Sequence, residues 1–138
     1  MADNLTPGQR GYCMSRVRGR DTSLERKVRS ELFKRGLRFR KNLRDLPGQP
    51  DIVFMKEKLA IFLDGDFWHG YRFSQWAAKL PHFWLVKITR NRERDIEKRK
   101  ELKKLGWRVK RYWEHSIDND LERCVSNMVA ELLRLRQS

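Results

Sequence analysis

Cysteine is scarce in this 138-residue chain: Cys13 and Cys124 are too few and too far apart for a disulfide framework or a zinc ribbon. Such scarcity fits a reducing compartment, with Cys124 expected as a small core residue on a late helix. Long apolar runs are missing as well. None approaches the roughly 20 residues needed to cross a bilayer, and the first residues carry no signal-peptide core, so the protein reads as intracellular with no membrane contact. Acidic residues are in deficit, 18 Asp and Glu against 32 Lys and Arg, which leaves a net charge of +14. A surplus of that size on one small domain selects a polyanionic partner, nucleic acid before others. Aromatic residues, by contrast, are plentiful: five tryptophans within an 11% aromatic content exclude a disordered basic tail.

The pattern along the chain predicts one domain behind a basic arm. Residues 1–20 carry Pro7, Gly8, Gly11 and Gly19 with four arginines and no periodic apolar face, as an arm that tracks a nucleic-acid backbone would. Residues 21–138 form the domain proper. Leu24, Val28 and Leu32 repeat at helical spacing after Thr22 and stop at Gly36. Leu37–Arg40 alternates as an edge strand. Asp51–Met55 and Leu59–Leu63 are nearly all apolar and separated by a three-residue polar turn, which predicts a central antiparallel hairpin covered on both faces. After an irregular stretch from Arg72 to Thr89, a charged helix over Asn91–Leu105 offers Ile96, Leu102 and Leu105 as its apolar stripe. Trp107–Trp113 reads as a strand parallel to its neighbour, because a helix intervenes; Glu114–His115 marks its end, and a last helix runs from about Asn119 to Arg136. The order α-β-β-β-α-β-α gives an α/β fold: a small mixed sheet flanked by helices.

Chemistry concentrates at two strand ends. Pro50-Asp51 opens the first hairpin strand, and Asp64-Gly65-Asp66-Phe67-Trp68-His69-Gly70 closes the second. Neighbouring strands that each hand a carboxylate to one end of a sheet make a cradle for a hard cation such as Mg²⁺, which favours oxygen ligands and a phosphate. This is the pattern of the PD-(D/E)xK nucleases, except that Asp66 stands where their lysine is expected. His69 is then the available proton acceptor. Asp64 is favoured as a ligand, with Asp66 as a turn-capping residue. Glu25 has two readings: partner of Thr22 in a capping box, or a carboxylate facing the metal from the start of the first helix. Phe67 and Trp68, adjacent in a glycine-bounded turn, suit wedges that enter a base step; the alternative for Trp68 is a cap on the core.

The chain resembles the very short patch repair (Vsr-type) mismatch endonucleases over nearly its whole length. The matching segments are Met14-Ser15-Arg16-Val17 with Asp21-Thr22 and Glu25, Leu46-Pro47-Gly48-Gln49-Pro50-Asp51, Gly65-x-Phe67-Trp68-His69, Phe83-Trp84-Leu85-x-Lys87-Ile88 with Asn91 and Glu93-Arg94-Asp95, and Leu105-Gly106-Trp107-Arg108-Val109 with Trp113-Glu114. The resemblance implies a restriction-endonuclease-like fold and Mg²⁺-dependent nicking of one DNA strand, 5′ to the thymine of a T:G mismatch left by deamination of 5-methylcytosine. It implies Asp51 as principal metal ligand with the backbone carbonyl of Leu63, and His69 as the catalytic histidine assisted by Glu25. Asp64 stands where some members have a second histidine, so its share of metal binding and proton transfer stays open. Phe67, Trp68 and Trp84 correspond to the aromatic wedge, with Met14 entering from the arm side; Lys87 and Asn91 correspond to residues near the mismatched pair. Arg16 and Arg18 are expected on the DNA backbone. Members with a structural zinc hold it through cysteine and histidine near this loop; with Asp66, Tyr71 and Phe73 at those places no structural zinc is expected, and Tyr71, Phe73 and Trp76 are expected to pack instead. Double-stranded mismatched DNA, other mismatch-repair proteins and a monomeric state complete the expectation. Two other readings stay open: a restriction or defence nuclease with a different target, and a DNA-binding module with a vestigial centre.

Overall fold

A computed structural model describes residues 23–67 and 69–137. Met14, Arg16, Arg18, Cys13 and the rest of the arm, together with Thr22 and Trp68, lie outside the described residues. Helix α1 (Ser23–Lys34) leads through a short bend to strand β1 (Arg40–Lys41), then β2 (Ile52–Phe54) and β3 (Leu59–Asp64). A short helix α2 (Phe73–Trp76) and a single 3₁₀ turn (Ala77–Lys79) precede the long α3 (His82–Lys104), which crosses over to β4 (Arg108–Trp113). Helices α4 (Glu114–Asn119) and α5 (Leu121–Arg136) follow. The sheet order is β1-β2-β3-β4, antiparallel except for the β3–β4 pair. This is the expected mixed sheet flanked by helices, consistent with a restriction-endonuclease-like fold.

Alternation along β3 sorts the core into two halves, since successive side chains point to opposite faces. Leu59, Ile61 and Leu63 pack on one face with Leu24, Val28 and Leu32 of α1 and Val125, Met128 and Leu132 of α5. Cys124 is buried in the same half, as its place on a late helix predicted. Ala60 and Phe62 face the other way, onto Leu102 of α3 and Trp107. Asp64, next in that alternation, therefore faces α3. On β4 the same parity puts Tyr112 with the first half and Val109 with the second, which places Arg111 on the α3 side as well.

Four sequence expectations change. Phe83–Ile88 continues α3 instead of forming an irregular segment, because Pro81 supplies a helix start and not a break. Leu37 and Phe39 do alternate inward against the core, but ladder pairing begins only at Arg40, opposite Val53. Glu114 and His115 begin a helix instead of ending in a turn. The stripe of α3 is not Ile96–Leu102–Leu105: Ile96 and Leu105 are exposed, whereas Ile88, Arg99 and Leu102 are buried. Leu105 is the helix cap, and Gly106 beyond it takes the left-handed backbone (φ +91°) that closes α3.

Candidate active site

Asp51 enters β2 with its backbone N–H bonded to the Ile61 carbonyl at 3.0 Å, and its Oδ2 accepts the Leu63 N–H at 2.7 Å. That side-chain bond ties the carboxylate to β3, one residue short of Asp64. Desolvation in this half-buried position raises the Asp51 pKa to about 7; the Leu63 N–H opposes the rise, while the charges of Glu25 and Asp64 add to it. A carboxylate crowded by two others and stripped of water is a group that a cation would relieve. Glu25, buried on the first turn of α1, is itself engaged by Arg29 at 3.3 Å. Among the described residues, no three His, Cys, Asp or Glu side chains converge as a metal-holding group. The carboxylates that act on Asp51, Glu25 and Asp64, offer oxygen, which suits a hard cation that keeps several waters.

The turn after β3 brings His69 back over Asp64. His69 N–H donates to the Gly65 carbonyl at 3.2 Å and Tyr71 N–H to Asp66 at 2.9 Å, which coils the segment tightly. Gly70 follows with φ +71°; a Cβ there would also lie 2.5 Å from the Arg92 side chain. His69 Nδ1 lies 2.5 Å from Asp95 Oδ2 and 3.8 Å from Asp64 Oδ1. A carboxylate accepts only, so Nδ1 carries the proton and donates to Asp95, leaving the Nε2 lone pair available in the neutral ring. Burial pulls the His69 pKa down, but the Asp95 hydrogen bond and the charges of Asp64 and Asp95 outweigh it and the net shift is upward.

Asp64 has a different environment from the one expected of an open metal ligand. It is buried, and both oxygens meet guanidinium groups: Arg99 Nη2 at 3.0 and 2.8 Å, and Arg111 Nε at 2.8 Å. The reason is the sheet parity described above, together with α3, whose inward face carries Asp95 one turn before Arg99. Neither residue belonged to the sequence-derived site. The spacing Ile88–Asp95–Arg99–Leu102 was the available signal: one helical face with two charges among apolar residues.

Asp66 does more than cap a turn. Its Oδ1 accepts from His115 Nδ1 at 2.9 Å, and its backbone N–H donates to Glu114 Oε1 at 3.3 Å, so the loop bearing His69 is clasped to the β4–α4 junction. Tyr71 joins that clasp, its ring 4.2 Å from His115 and 5.1 Å from Trp113. It therefore leaves the expected cluster with Phe73 and Trp76, to which only its carbonyl remains tied, through Trp76 Nε1–H at 2.9 Å. Phe73 and Trp76 pack instead around Phe67.

Phe67 itself is buried, stacked on Trp76 with Trp84 edge-on, and so is not an exposed wedge here. An aromatic ring whose turn offers it a hydrophobic seat takes that seat. Among the described residues, the exposed ring of this region is Phe83, to which the sequence assigned no role. It lines a groove of about 520 Å³ with His82, Val86, Lys87, Arg90, Asn91 and Arg94, which brings Lys87 and Asn91 together on a basic face of α3.

Residues 2–75 match the model of the family described as DNA mismatch endonuclease Vsr. The chain is 44% identical over 121 residues to the type II nicking enzyme V.XorIIP of Xanthomonas oryzae pv. oryzae, covering 86% of this chain and 89% of that protein. It is 38% identical over 138 residues to the type II nicking enzyme V.NmeDIP of Neisseria meningitidis serogroup C, covering 98% and 93%. Against the DNA mismatch endonuclease Vsr of Escherichia coli K12 the identity is 40% over 120 residues, covering 85% and 76%.

Proposed function

This chain belongs to the Vsr family of DNA mismatch endonucleases, and from that premise we propose that it nicks one strand of duplex DNA at T:G mismatches left by deamination of 5-methylcytosine, with Mg²⁺ as cofactor. The observation that carries the reading is that the His69–Asp95 pair and Asp51 lie at one end of β2 and β3, where the charge of His69 acts on Asp51. Asp51 and the Leu63 carbonyl would hold the cation, with water and a DNA phosphate completing its shell; the ion would supply charge stabilisation at phosphorus.

The chain's own residues then have distinct tasks. Asp95 fixes the His69 tautomer and turns Nε2 into the proton acceptor. As water adds to phosphorus, its proton passes to Nε2 while the P–O bond to the leaving sugar oxygen breaks; that oxygen takes a proton from solvent and leaves as a hydroxyl, with a phosphate on the other side of the nick. Glu25, held by Arg29, adds negative charge beside Asp51. Asp64 anchors Arg99 and Arg111 and shares the Nδ1 side of His69. Lys87 and Asn91 meet the DNA on the α3 face. Trp68 and Trp84, with Met14 from the arm, enter the mismatched step, and Arg16 and Arg18 take backbone phosphates.

The test is a nicking assay on supercoiled or end-labelled duplexes containing T:G or the matched C:G pair, with Mg²⁺ or with chelator. The reading expects one labelled strand cut, on the mismatched duplex, with Mg²⁺ only. Equal cutting of matched duplex would assign the chain a different target.

A further inference from the structure

Asp64 receives two guanidiniums, from Arg99 and Arg111, on one buried carboxylate. Of the other acids nearby, Glu25 is engaged by Arg29, Asp95 accepts from the neutral His69 ring with its charge also acting on Arg111, and Asp51 spends one oxygen on the Leu63 N–H. Arg99 is the buried member of the pair. Its guanidinium lies 4.2 Å over the Phe62 ring, and its Nε and Nη1 have no hydrogen-bond partner among the described residues. Packed that deeply, Arg99 neutralises Asp64 and has no path to a ligand. Arg111 is the exposed member, with 35% of its side chain open to solvent.

Its geometry is that of a held fork. Nε is pinned to Asp64 Oδ2 at 2.8 Å and the guanidinium lies 4.7 Å from the Trp113 ring, so the plane is fixed from two sides while the Nη donors are not used in that ion pair. The other oxygen of the same carboxylate faces His69 Nδ1. One buried carboxylate thus bridges the proton acceptor and a pre-oriented planar cation. A planar fork is the group best matched to two oxygens of a phosphate, and holding it beforehand removes the reorganisation that a free arginine would need.

We propose that Arg111 is a catalytic residue of this centre, whose Nη donors bind the non-bridging oxygens of the scissile phosphate and stabilise the charge that grows on them as water adds. Arg99 is its positioning partner, balancing Asp64 so that Arg111 is free to serve the substrate. This deepens the endonuclease reading and rests on it.

The experiment is single-turnover nicking of the T:G duplex at saturating enzyme, with Kd measured separately by titration in Ca²⁺ in place of Mg²⁺. Wild-type protein is the first arm: if it nicks no duplex, the endonuclease reading fails and Arg111 is not the cause. Given wild-type nicking, Arg111→Ala is expected to lower the single-turnover rate by about 100-fold or more, the range seen when one oxyanion donor is removed, with Kd changed by less than about threefold. Arg111→Lys, which keeps the charge but loses the fork, should recover part of the rate. Added guanidinium ion should raise the rate of Arg111→Ala, a response that a purely structural defect does not give. Arg108→Ala, which removes an exposed arginine on the same strand that is paired with Glu131, controls for net charge and should leave the rate unchanged. A full rate in Arg111→Ala overturns the proposal. So does a loss confined to Kd and its salt dependence, and so does a lost rate that neither lysine nor guanidinium restores in protein with a wild-type circular dichroism spectrum.

Discussion

Replacing Asp64 by asparagine should destabilise the protein more than replacing either arginine that meets it, and the size follows from the geometry. Asp64→Asn keeps the shape but strands Arg99, whose side chain is only 10% exposed, without a counter-charge; losing one partner of a buried pair costs about 3–5 kcal/mol. Arg99→Met leaves Asp64 still paired to Arg111 at 2.8 Å, keeps apolar contact with Phe62, and removes two buried unsatisfied nitrogens. Each such nitrogen carries a desolvation penalty of about 1–3 kcal/mol, so the net loss for Arg99→Met should be small, about 1–2 kcal/mol. The double variant Asp64→Asn/Arg99→Met should be less destabilised than the sum of the single changes by about 1–3 kcal/mol, because the second change removes the charge that the first left stranded. Urea unfolding in the absence of DNA, with a common m-value across the four proteins, measures all of these. Additive losses, or Arg99→Met costing more than Asp64→Asn, would refute the view that Asp64 is the sole counter-charge of Arg99.

Three further outcomes are expected. His69 has a raised pKa, and a general base works only when neutral, so the nicking rate of the wild type should climb with pH through an inflection above the ordinary histidine value. Asp95→Asn removes the main upward contribution; the inflection should move down, and the rate at high pH should still fall about 10–100-fold from lost orientation, read from single-turnover rates across pH. An unmoved inflection would exclude the dyad. His115→Ala opens the clasp on Asp66 and should speed tryptic cleavage at exposed Arg72 several-fold with little change in overall unfolding, read by fragment analysis. Trp68→Ala should reduce the preference for mismatched over matched duplex far more than it reduces total affinity, since prying open a mismatched step is cheaper than opening a matched one; equal loss on both duplexes would make Trp68 a core residue.

The hairpin, the parallel crossover and the two helix stops at Gly36 and Gly106 were legible because each rests on local signals: apolar runs of strand length, a helix between strands, and glycine at a C′ position. Asp51 and His69 stood out as candidates for the same kind of reason, since each sits in a motif bounded by proline or glycine. The partners did not. Asp95, Arg99 and Arg111 look like ordinary members of a charged helix and a basic strand, and only the register of β3 against β4 and the inward face of α3 show that Arg99 and Arg111 meet Asp64 while Asp95 meets His69. The misplaced stripe on α3 has the same cause. Sequence patterning assumes that a buried face is apolar, and here that face carries Asp95 and Arg99, which pair with His69 and Asp64. Phe67 and Tyr71 diverged for a related reason: adjacent aromatics announce burial or exposure equally well until the seat each one finds is known.

The central claim, that Asp51 is the group on which DNA hydrolysis depends, is tested most directly by measuring nicking and binding of one T:G duplex by wild-type and Asp51→Ala protein in Mg²⁺. The account predicts that Asp51→Ala forms the complex with equal or tighter Kd, because a carboxylate facing phosphate has been removed, and that nicking falls below detection. Full nicking by Asp51→Ala would contradict it.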